Sequence, residues 1–229
     1  MISLDERIAA GMRAQLTSRR EKLRAGDRPL GWKVGFGSPA AGARLGIDRP
    51  LVGFLLRSNL LPDGAEVPVG DWAAPTLEPE IAVHMAQDVP PGASRDAVRR
   101  AVGGLSAAIE LADVDPPPTD VRQILAGNVF HRHVLLGPVR RGWTPLEDIH
   151  ATVLLDGEEV AATDDVTALT GGTVEVLRST AELLALCGEQ LRAGDVVITG
   201  SVVTPLPVAG GQTVAVDLAT LGTIAVSLR

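Results

Sequence analysis

The spacing of apolar residues along the chain predicts a small number of helices. Between residues 3 and 26 the apolar positions recur at helical intervals, and Ser3 and Glu6 form a capping box at the start. Another helix is predicted to begin at Ser94, and a third covers residues 179–194. These segments are too few and too widely spaced to describe an all-helical protein.

Alternation of apolar and polar residues predicts strands along most of the remaining chain. Residues 31–56 are expected to form a strand, a short helix and a second strand, and Asp156–Gly157 a hairpin turn. Further strands are predicted at 65–70, 76–86, 109–112, 129–137, 150–162, 195–201, 213–219 and 223–229. Because helices do not alternate strictly with these strands, the pattern favours the α+β class over a doubly wound parallel sheet.

The composition is that of a globular protein and argues against several functional classes. The 229 residues are 45% hydrophobic and only 3% aromatic, so few rings are present to stack on nucleic-acid bases. A net charge of −7 without a basic stripe argues against nucleic-acid and anionic-membrane partners. The single cysteine, Cys187, excludes an internal disulfide. We see no secretory signal or membrane-spanning run in the sequence and expect a cytoplasmic protein.

Two glutamates one residue apart are the first candidates for chemistry. Glu78 and Glu80 lie in a predicted strand, where side chains at positions i and i+2 point to the same face. Two carboxylates this close repel each other. The pair is either a solvated strand face or a site for a divalent cation such as Mg²⁺, which prefers carboxylate oxygens. Pro79, between them, suggests an edge strand, where its missing N–H leaves no ladder bond unmade.

Glu110 and Lys33 are charged residues in otherwise apolar surroundings. Glu110 is the only charge between residues 103 and 112, so we expect it to be buried with a partner, and it is a candidate third ligand. Lys33 stands between Trp32 and Val34 in a predicted strand. It is either a catalytic acid or anion anchor, or a lysine that protects the edge of a sheet.

The histidines offer an alternative metal site. His131 and His133 are predicted to share a strand face, where two imidazoles and a third ligand suit Zn²⁺. Packing or hydrogen-bonding roles compete with this interpretation. His84 is expected on the same face as Glu78 and Glu80, where it either orients their site or packs.

Several segments, in order along the chain, resemble one enzyme family. "GWKVGFGS", "LGIDRPLVGFLL", "LEPEIAVHM", "AIELADVD" and "LRAGDVVITGS" are similar to segments of the 2-hydroxypenta-2,4-dienoate hydratase and 4-oxalocrotonate decarboxylase family, within the fumarylacetoacetate hydrolase superfamily. The resemblance implies a mixed β roll with flanking helices and an N-terminal helix. It implies one catalytic domain over residues 1–229, in which residues 1–70 contain the N-terminal helix and the first strands and residues 71–229 form the metal-binding β roll. It also implies a homo-oligomer.

The resemblance also implies a reaction and roles for single residues. By position, the family's residues fall on Glu78, Glu80 and Glu110 as ligands of Mg²⁺ or Mn²⁺, and on Lys33 and Asp48 as catalytic groups. Ser38, Ser201 and His131 are candidate substrate contacts, although hydroxyls in loops are mostly turn residues. The residues alone leave the role of Asp48 open, because an aspartate before Arg49–Pro50 is also typical of a turn. The implied reaction is addition of water to a 2-hydroxy-2,4-dienoate or 2-oxo-4-enoate in the catabolism of aromatic or related compounds. The metal would stabilise an enolate.

One segment departs from the family pattern. Where the family has A-D-N-A-S-S, this chain has "AGNVFH", so that Gly127 replaces an aspartate and Phe130 and His131 replace serines. The segment is expected to line the substrate end of the pocket. The sequence therefore leaves open a decarboxylase, C–C hydrolase or tautomerase of a related 2-oxo acid on the same metal site, and also a non-catalytic binding or assembly protein.

Overall fold

The structure, a computed structural model, consists mainly of strands with a few helices around them, and it describes residues 4–115, 117–144, 146 and 149–229. The helices are α1 Glu6–Arg24, α2 Pro39–Leu45, α3 Arg95–Ala101, α4 Val121–Ala126 and α5 Thr173–Leu186. The strands are β1 Pro29–Gly35, β2 Leu51–Leu56, β3 Leu60–Leu61, β4 Ala65–Val67, β5 Pro75–Met85, β6 Val102–Asp113, β7 His131–Leu136, β8 Arg140–Arg141, β9 Ala151–Leu155, β10 Glu158–Thr163, β11 Val196–Ser201, β12 Leu206–Pro207, β13 Thr213–Asp217 and β14 Thr223–Leu228.

The larger, nine-stranded sheet curls into a roll. Its strand order is β2-β1-β11-β5-β6-β7-β3, with β12 paired to β5 and β8 to β6. Strands β2 and β3 stand at opposite ends of this order, yet a single 3₁₀ turn, Arg57–Asn59, joins them. The two edges must therefore come close together, which a curled sheet allows. Pairing is mixed, since β1 is parallel to β11 while β5 is antiparallel to β6, and the predicted mixed β roll is confirmed.

The second sheet has five strands in the order β10-β9-β13-β14-β4. It is antiparallel except where β4 runs parallel to β14. The hairpin between β9 and β10 turns at Asp156 and Gly157, with φ values of 53° and 87°, as the sequence predicts. The α+β class is confirmed.

Alternation along β5 and β6 divides the roll into two faces. One face of these strands packs into the main hydrophobic core with the helices and the second sheet. The other face carries Ala82 and Ala108 in a smaller apolar cluster, whose other members are Leu30, Leu55, Val134, Val196 and Ile198. Glu80 is two residues from Ala82, and Glu110 is two from Ala108. Both carboxylates therefore share the face of the smaller cluster, away from the main core.

Strand β5 is central in the sheet, so the edge position inferred from Pro79 is wrong. It pairs with β11 on one side and β6 on the other. Between Ile198 and Ser201 the register shifts, and β11 has a bulge there. The Pro79 carbonyl accepts from the N–H of Val202 at 2.8 Å, so the nitrogen of Pro79 faces the same irregular edge. A missing N–H at that place breaks no regular ladder bond.

The helix ends differ in part from the predicted ones. Ser3 lies outside the described residues, and Asp5 caps α1 by accepting from the N–H of Arg7. Ser94 caps α3 as predicted, with its Oγ 3.2 Å from the nitrogen of Ala97. Helix α5 begins at Thr173 rather than at 179, after two glycines with positive φ. None of the described helices is long and apolar enough to cross a membrane.

Two elements differ from the sequence expectation because short apolar runs are ambiguous. Strand β6 begins at Val102, seven residues before the predicted short strand at 109–112. It is buried along nearly its whole length, and a strand buried on both faces lacks the alternation that identifies strands. Helix α4 covers only six residues, too few for a clear helical period, and was not predicted.

Candidate metal centre

Three glutamates from two neighbouring strands converge inside the roll. Glu78 and Glu80 lie on β5, and Glu110 lies on β6 directly opposite Glu78. One oxygen of each carboxylate lies within 4.8 Å of the other two. Glu80 and Glu110 are fully buried, and Glu78 is partly exposed. The common face predicted for Glu78 and Glu80 is confirmed, and the alternative of a solvated face is wrong.

The bulge in β11 supports Glu80. Gly200 has a φ of +98°, which L side chains rarely adopt, and its N–H donates to Oε2 of Glu80 at 2.6 Å. The other oxygen, Oε1, is buried and has no hydrogen-bond partner among the described residues. Burying such an oxygen unpaired costs free energy unless a group from outside the chain binds it.

Lys33 is buried beside the carboxylates. Its Nζ lies 2.7 Å from Oε2 of Glu110 and donates to the carbonyl of Val129 at 3.1 Å. Strand β1 lies between β2 and β11, so Lys33 does not protect a sheet edge. Gly53 on β2 leaves room for the lysine stem, since a Cβ at that position would lie 2.8 Å from Cγ of Lys33.

Burial and mutual repulsion disfavour the ionised forms of two of the glutamates. Burial, partly offset by Lys33, raises the pKa of Glu78 to about 7. Burial and the charges of Glu110 and Glu78 raise the pKa of Glu80 well above its usual value. Burial also acts on Glu110, but Lys33 and His131 outweigh it and lower the pKa. For Lys33, burial opposes the charge, yet the three carboxylates outweigh it and raise the pKa.

The donor set fits a hard divalent cation. The site combines a Lys33–Glu110 ion pair with two carboxyl groups whose pKa values are raised, and a cation would displace the protons that these groups carry. Oxygen ligands alone suit Mg²⁺ or Mn²⁺, and among the described residues no histidine or cysteine belongs to the cluster. Oε1 of Glu80, which no described residue binds, is available as a ligand atom.

His131 lies behind Glu110 and supports it. Its Nδ1 is 2.8 Å from Oε1 of Glu110, and its side chain is 1% exposed. Because an ionised carboxylate only accepts hydrogen bonds, Nδ1 carries the hydrogen and donates it. His131 does not line the cavity that contains Lys33 and Glu78, so the structure does not place it as the substrate contact we expected.

The two histidines of β7 do not share a face. One extra residue in β7 shifts the register, so that His133 pairs with Leu111 and His131 with Ala112. His133 stacks on Trp72, with ring centroids 6.0 Å apart. The zinc site proposed from their spacing is therefore wrong, because the bulge turns the two imidazoles to opposite sides of the sheet.

Two other candidate residues lie apart from the glutamates. The Asp48 side chain is 79% exposed and pairs with Arg49 at 3.1 Å, so its expected acid–base role has no support in the geometry. His84 does share the face of the glutamates, but its Nε2 lies 2.9 Å from Oγ of Ser106. Four residues along a strand span about 13 Å, so His84 does not orient Glu80.

A cavity of about 300 Å³ contains Lys33 and Glu78 in its wall. Most of the remaining lining is apolar, from Gly35, Phe36, Ala112, Val114, Pro118, Val129, Phe130, Pro205 and Pro207. Such a wall suits the hydrocarbon part of a small ligand whose polar end lies at the glutamates.

A second cavity, of about 100 Å³, also includes Glu78 and contains both predicted serine contacts. The Oγ of Ser38 accepts from the N–H of Ala41 at 3.2 Å and so caps α2. The Oγ of Ser201 is buried and has no partner among the described residues, which leaves it available to a ligand.

The divergent segment 126–131 contains residues with an unusual backbone. Asn128, Val129 and Phe130 have φ values of 55°, 52° and 63°, and left-handed conformations cost non-glycine residues about 1–2 kcal/mol each. The Asn128 side chain holds the segment in place through the backbone of Phe54. Its Oδ1 accepts from the N–H of Phe54 at 2.7 Å, and its Nδ2 donates to the carbonyl of Phe54 at 3.0 Å. The Val129 carbonyl is thereby fixed against Lys33.

The sequence does not mark three further residues, Gly200, Asn128 and Arg44, as part of the site. Arg44 lines the cavity of about 300 Å³ that contains Lys33 and Glu78. Gly200 and Asn128 act through partners more than 70 residues away in the chain, and Arg44 lies in a short helix. No local pattern marks such residues, because their roles arise only when the roll closes.

Comparison with known proteins identifies relatives over most of the chain. The model of the family described as "Fumarylacetoacetate (FAA) hydrolase C-terminal" matches residues 35–229. A 2-keto-4-pentenoate hydratase of Burkholderia vietnamiensis is 31% identical over 204 residues, covering 87% of this chain and 78% of the relative. A 4-oxalocrotonate decarboxylase of Pseudomonas putida is 29% identical over 213 residues, covering 90% and 80%.

A solved structure shows the same fold. The 4-oxalocrotonate decarboxylase from Pseudomonas putida G7, complexed with magnesium and adipate, superposes with a TM-score of 0.87 at 26% identity. The match covers 94% of this chain and 83% of that one. A fumarylpyruvate hydrolase from Pseudomonas aeruginosa, complexed with Mn²⁺ and pyruvate, has a TM-score of 0.71 at 16% identity, which shows similarity of fold alone.

Proposed function

We propose, since the chain belongs to the fumarylacetoacetate hydrolase C-terminal family, that it is a divalent-metal-dependent hydratase. The reaction adds water to a 2-hydroxy-2,4-dienoate or 2-oxo-4-enoate and gives a 4-hydroxy-2-oxo acid, in the catabolism of aromatic or related compounds. The observation that carries the proposal is the convergence of three glutamates and Lys33 beside one cavity. Relatives named 2-keto-4-pentenoate hydratase support the addition of water.

Glu78, Glu80 and Glu110 would hold the ion, which we propose to be Mg²⁺ or Mn²⁺. When bound, a divalent ion supplies Lewis acidity toward the carboxylate and C2 oxygen of a 2-oxo acid. The unpaired Oε1 of Glu80 and the magnesium in the superposed decarboxylase support this assignment. The hydrogen bonds from Gly200 and His131 hold two of the carboxylates in position.

Lys33 is the residue best placed to move a proton. Its raised pKa keeps it protonated at neutral pH, so it would stabilise the negative charge that develops when water adds at C4 and would donate the proton that C3 gains. The proton that the added water loses would restore the ammonium. The hydroxyl of Ser201 would donate a hydrogen bond to the substrate. Asp48 takes no step in this proposal, because it is exposed and paired with Arg49.

A decarboxylase of a related 2-oxo acid is the second candidate. The superposed structure bears that name, and either reaction needs negative charge to be stabilised at the C2 oxygen. In both cases the partner is a small-molecule substrate. We further propose one catalytic domain, because residues from α1 to β14 share one hydrophobic core. A cytoplasmic location and a homo-oligomeric state stay predictions.

Turnover of 2-hydroxypenta-2,4-dienoate, monitored by ultraviolet absorbance with Mg²⁺ and with Mn²⁺, tests the hydratase function. We expect metal-dependent loss of the dienoate, no loss in EDTA, and a 4-hydroxy-2-oxo acid in the NMR spectrum. Release of CO₂ from 4-oxalocrotonate without turnover of the dienoate would favour the decarboxylase. Failure of both reactions in a protein that binds the metal would contradict the proposal.

A further inference from the structure

The cavity of about 300 Å³ follows β5 and β6 away from the metal centre. Glu78 and Glu110 lie opposite each other, and two residues along the strands Thr76 pairs with Ala112. Thr76 and Ala112 line this cavity, as does Val114, which follows the end of β6. Because a strand rises about 3.3 Å per residue, the cavity extends roughly 7–13 Å from the carboxylates toward the end of β6.

A third cavity, of about 390 Å³, lies beyond this end. Pro118 and Phe130 line both this cavity and the one at the metal centre. Asp113 lines the third cavity and lies on the opposite face of β6 from Ala112, because successive strand residues alternate between faces. The third cavity is therefore outside the roll, and Phe130 and Pro118 separate it from the interior.

The residues that depart from the family pattern lie at this boundary. Gly127, Phe130 and His131 all line the third cavity. Of the three, only Phe130 also lines the cavity that contains Lys33 and Glu78. Phe130 is therefore the departure that a ligand extending from the metal centre would meet.

The ring of Phe130 is held in position by its surroundings. Its centroid lies 6.5 Å from that of Phe36 at an interplanar angle of 57°, a tilted arrangement that aromatic pairs favour. Its backbone N–H donates to the carbonyl of Gly127 at 3.2 Å, and its φ is 63°. The ring thus forms a wall between the two cavities.

We infer that Phe130 closes the distal end of the substrate cavity and restricts the enzyme to dienoates with hydrogen or a small alkyl group at C5. A volume of about 300 Å³ is at the lower end of the range of small-molecule sites. The inference rests on the proposed function, which binds the 2-oxo acid end of the substrate at the glutamates. It adds a limit on the length of the substrate that one side chain sets.

A series of unreactive straight-chain 2-oxo acids, from 2-oxobutanoate to 2-oxodecanoate, tests this limit. Binding to the Mn²⁺-loaded wild type, Phe130→Ala and Phe130→Tyr is measured by isothermal titration calorimetry. Each methylene that is buried strengthens binding by about threefold to fourfold. We expect the affinity of the wild type to rise with chain length and then stop rising or fall.

The two variants should differ in where this limit falls. In Phe130→Ala the affinity should continue to rise for at least two further methylenes, so that the longest acids bind at least about tenfold more tightly than to the wild type. Phe130→Tyr retains the ring and should keep the limit of the wild type. Circular dichroism checks the fold, and Phe130→Gly, which tolerates the φ of 63°, replaces Phe130→Ala if that variant does not fold.

The possible failures are distinguishable. The same length dependence in the wild type and in Phe130→Ala, a wild type without a limit, or an equal shift in Phe130→Tyr would overturn the role of Phe130 and leave the hydratase proposal standing. Loss of 2-oxobutanoate binding in a folded Phe130→Ala would also overturn it, since the ring would then hold the site together. Failure of every acid to bind the wild type would contradict the 2-oxo acid function itself.

Discussion

The chemistry of the site depends on how each carboxylate oxygen is partnered. Glu110 is bound from two directions, by Lys33 and by His131, and its charge is stabilised inside the roll. One oxygen of Glu80 accepts from the N–H of Gly200, the other has no hydrogen-bond partner in the described part of the chain, and Glu78 faces the cavity. The cluster therefore has one carboxylate paired within the fold, and the other two are the ones that we propose to be neutralised by a cation.

Lys33→Met is predicted to keep metal binding and lose turnover. The methionine retains the bulk of the stem but cannot form an ion pair with Glu110 or hold a proton for the substrate. We expect kcat to fall by at least about 100-fold, the range of general acid–base catalysis, with Mn²⁺ affinity within a few-fold of the wild type. Lys22→Met, at an exposed position of α1, is the control. A Lys33→Met enzyme with the wild-type rate would remove Lys33 from the reaction.

The sequence predicts buried, paired side chains correctly where a single charged residue stands in an apolar stretch. Glu110 and Lys33 each carry the only charge of a buried stretch, and burial forces such groups to find partners. His131 was misassigned because its orientation depends on a bulge in β7, which moves it to the side of Glu110. Its neighbour His133 keeps the other face, and no local signal in the sequence marks that register shift.

At the scale of elements, the site is held by irregularities rather than by regular strands. The bulge at Gly200 aims an N–H at Glu80, and the left-handed segment 128–130 aims a carbonyl at Lys33. The periodicity of the sequence predicts regular strands well but carries no information on such positions. The strain in 128–130 persists because distant β2 binds the Asn128 side chain.

Asn128→Ala is predicted to destabilise the protein and impair catalysis together. The change removes two hydrogen bonds to the backbone of Phe54, at a cost of about 1–3 kcal/mol in the free energy of unfolding, and releases the Val129 carbonyl. Asn128→Gly loses the same hydrogen bonds, but glycine tolerates the φ of 55°, so this variant should be less destabilised than Asn128→Ala. The difference between the two variants measures the backbone strain.

Urea unfolding and kcat measured on both Asn128 variants check this prediction. Asn59→Ala, which removes one exposed hydrogen bond to the carbonyl of Arg132, is the matched control and should change either quantity little. Wild-type stability and rate in Asn128→Ala would show that the segment does not depend on this side chain.

For the whole molecule, the curled sheet separates stability from chemistry. The main core lies on one face of β5 and β6, and the glutamates lie on the other with a small apolar cluster. The overall class and the roll were predictable, because alternation along strands and the family resemblance both cover the chain. The way in which the roll closes was not predictable, since it brings β2, β7 and β11 to the site from distant parts of the sequence.

The stabilisation of the protein by metal is predicted to increase with pH. In the metal-free protein the pKa of Glu78 is raised to about 7 from an ordinary value of 4.5. Protonation of Glu78 therefore stabilises the metal-free fold fully below about pH 4.5, and that contribution is lost as pH rises through about 7. A cation takes the place of the proton, so it competes better as pH rises.

Thermal unfolding with and without Mn²⁺ at pH 5.5 and 7.5 measures this linkage. We expect the increase in Tm caused by Mn²⁺ to be larger at pH 7.5 than at pH 5.5, in the same buffer and at the same ionic strength. An equal or larger increase at pH 5.5 would mean that protons and the cation do not compete for Glu78.

The most direct test of the account is a calorimetric titration of Mn²⁺ into the metal-free wild type and into Glu80→Gln. The glutamine keeps the shape and the bond from Gly200 but supplies no charge at the free Oε1. We predict one ion per chain for the wild type and loss of measurable binding in Glu80→Gln, with an unchanged circular dichroism spectrum. Glu158→Gln, on the exposed strand β10, should bind as the wild type does. Unchanged Mn²⁺ affinity in Glu80→Gln would contradict the assignment of the three glutamates as the metal centre.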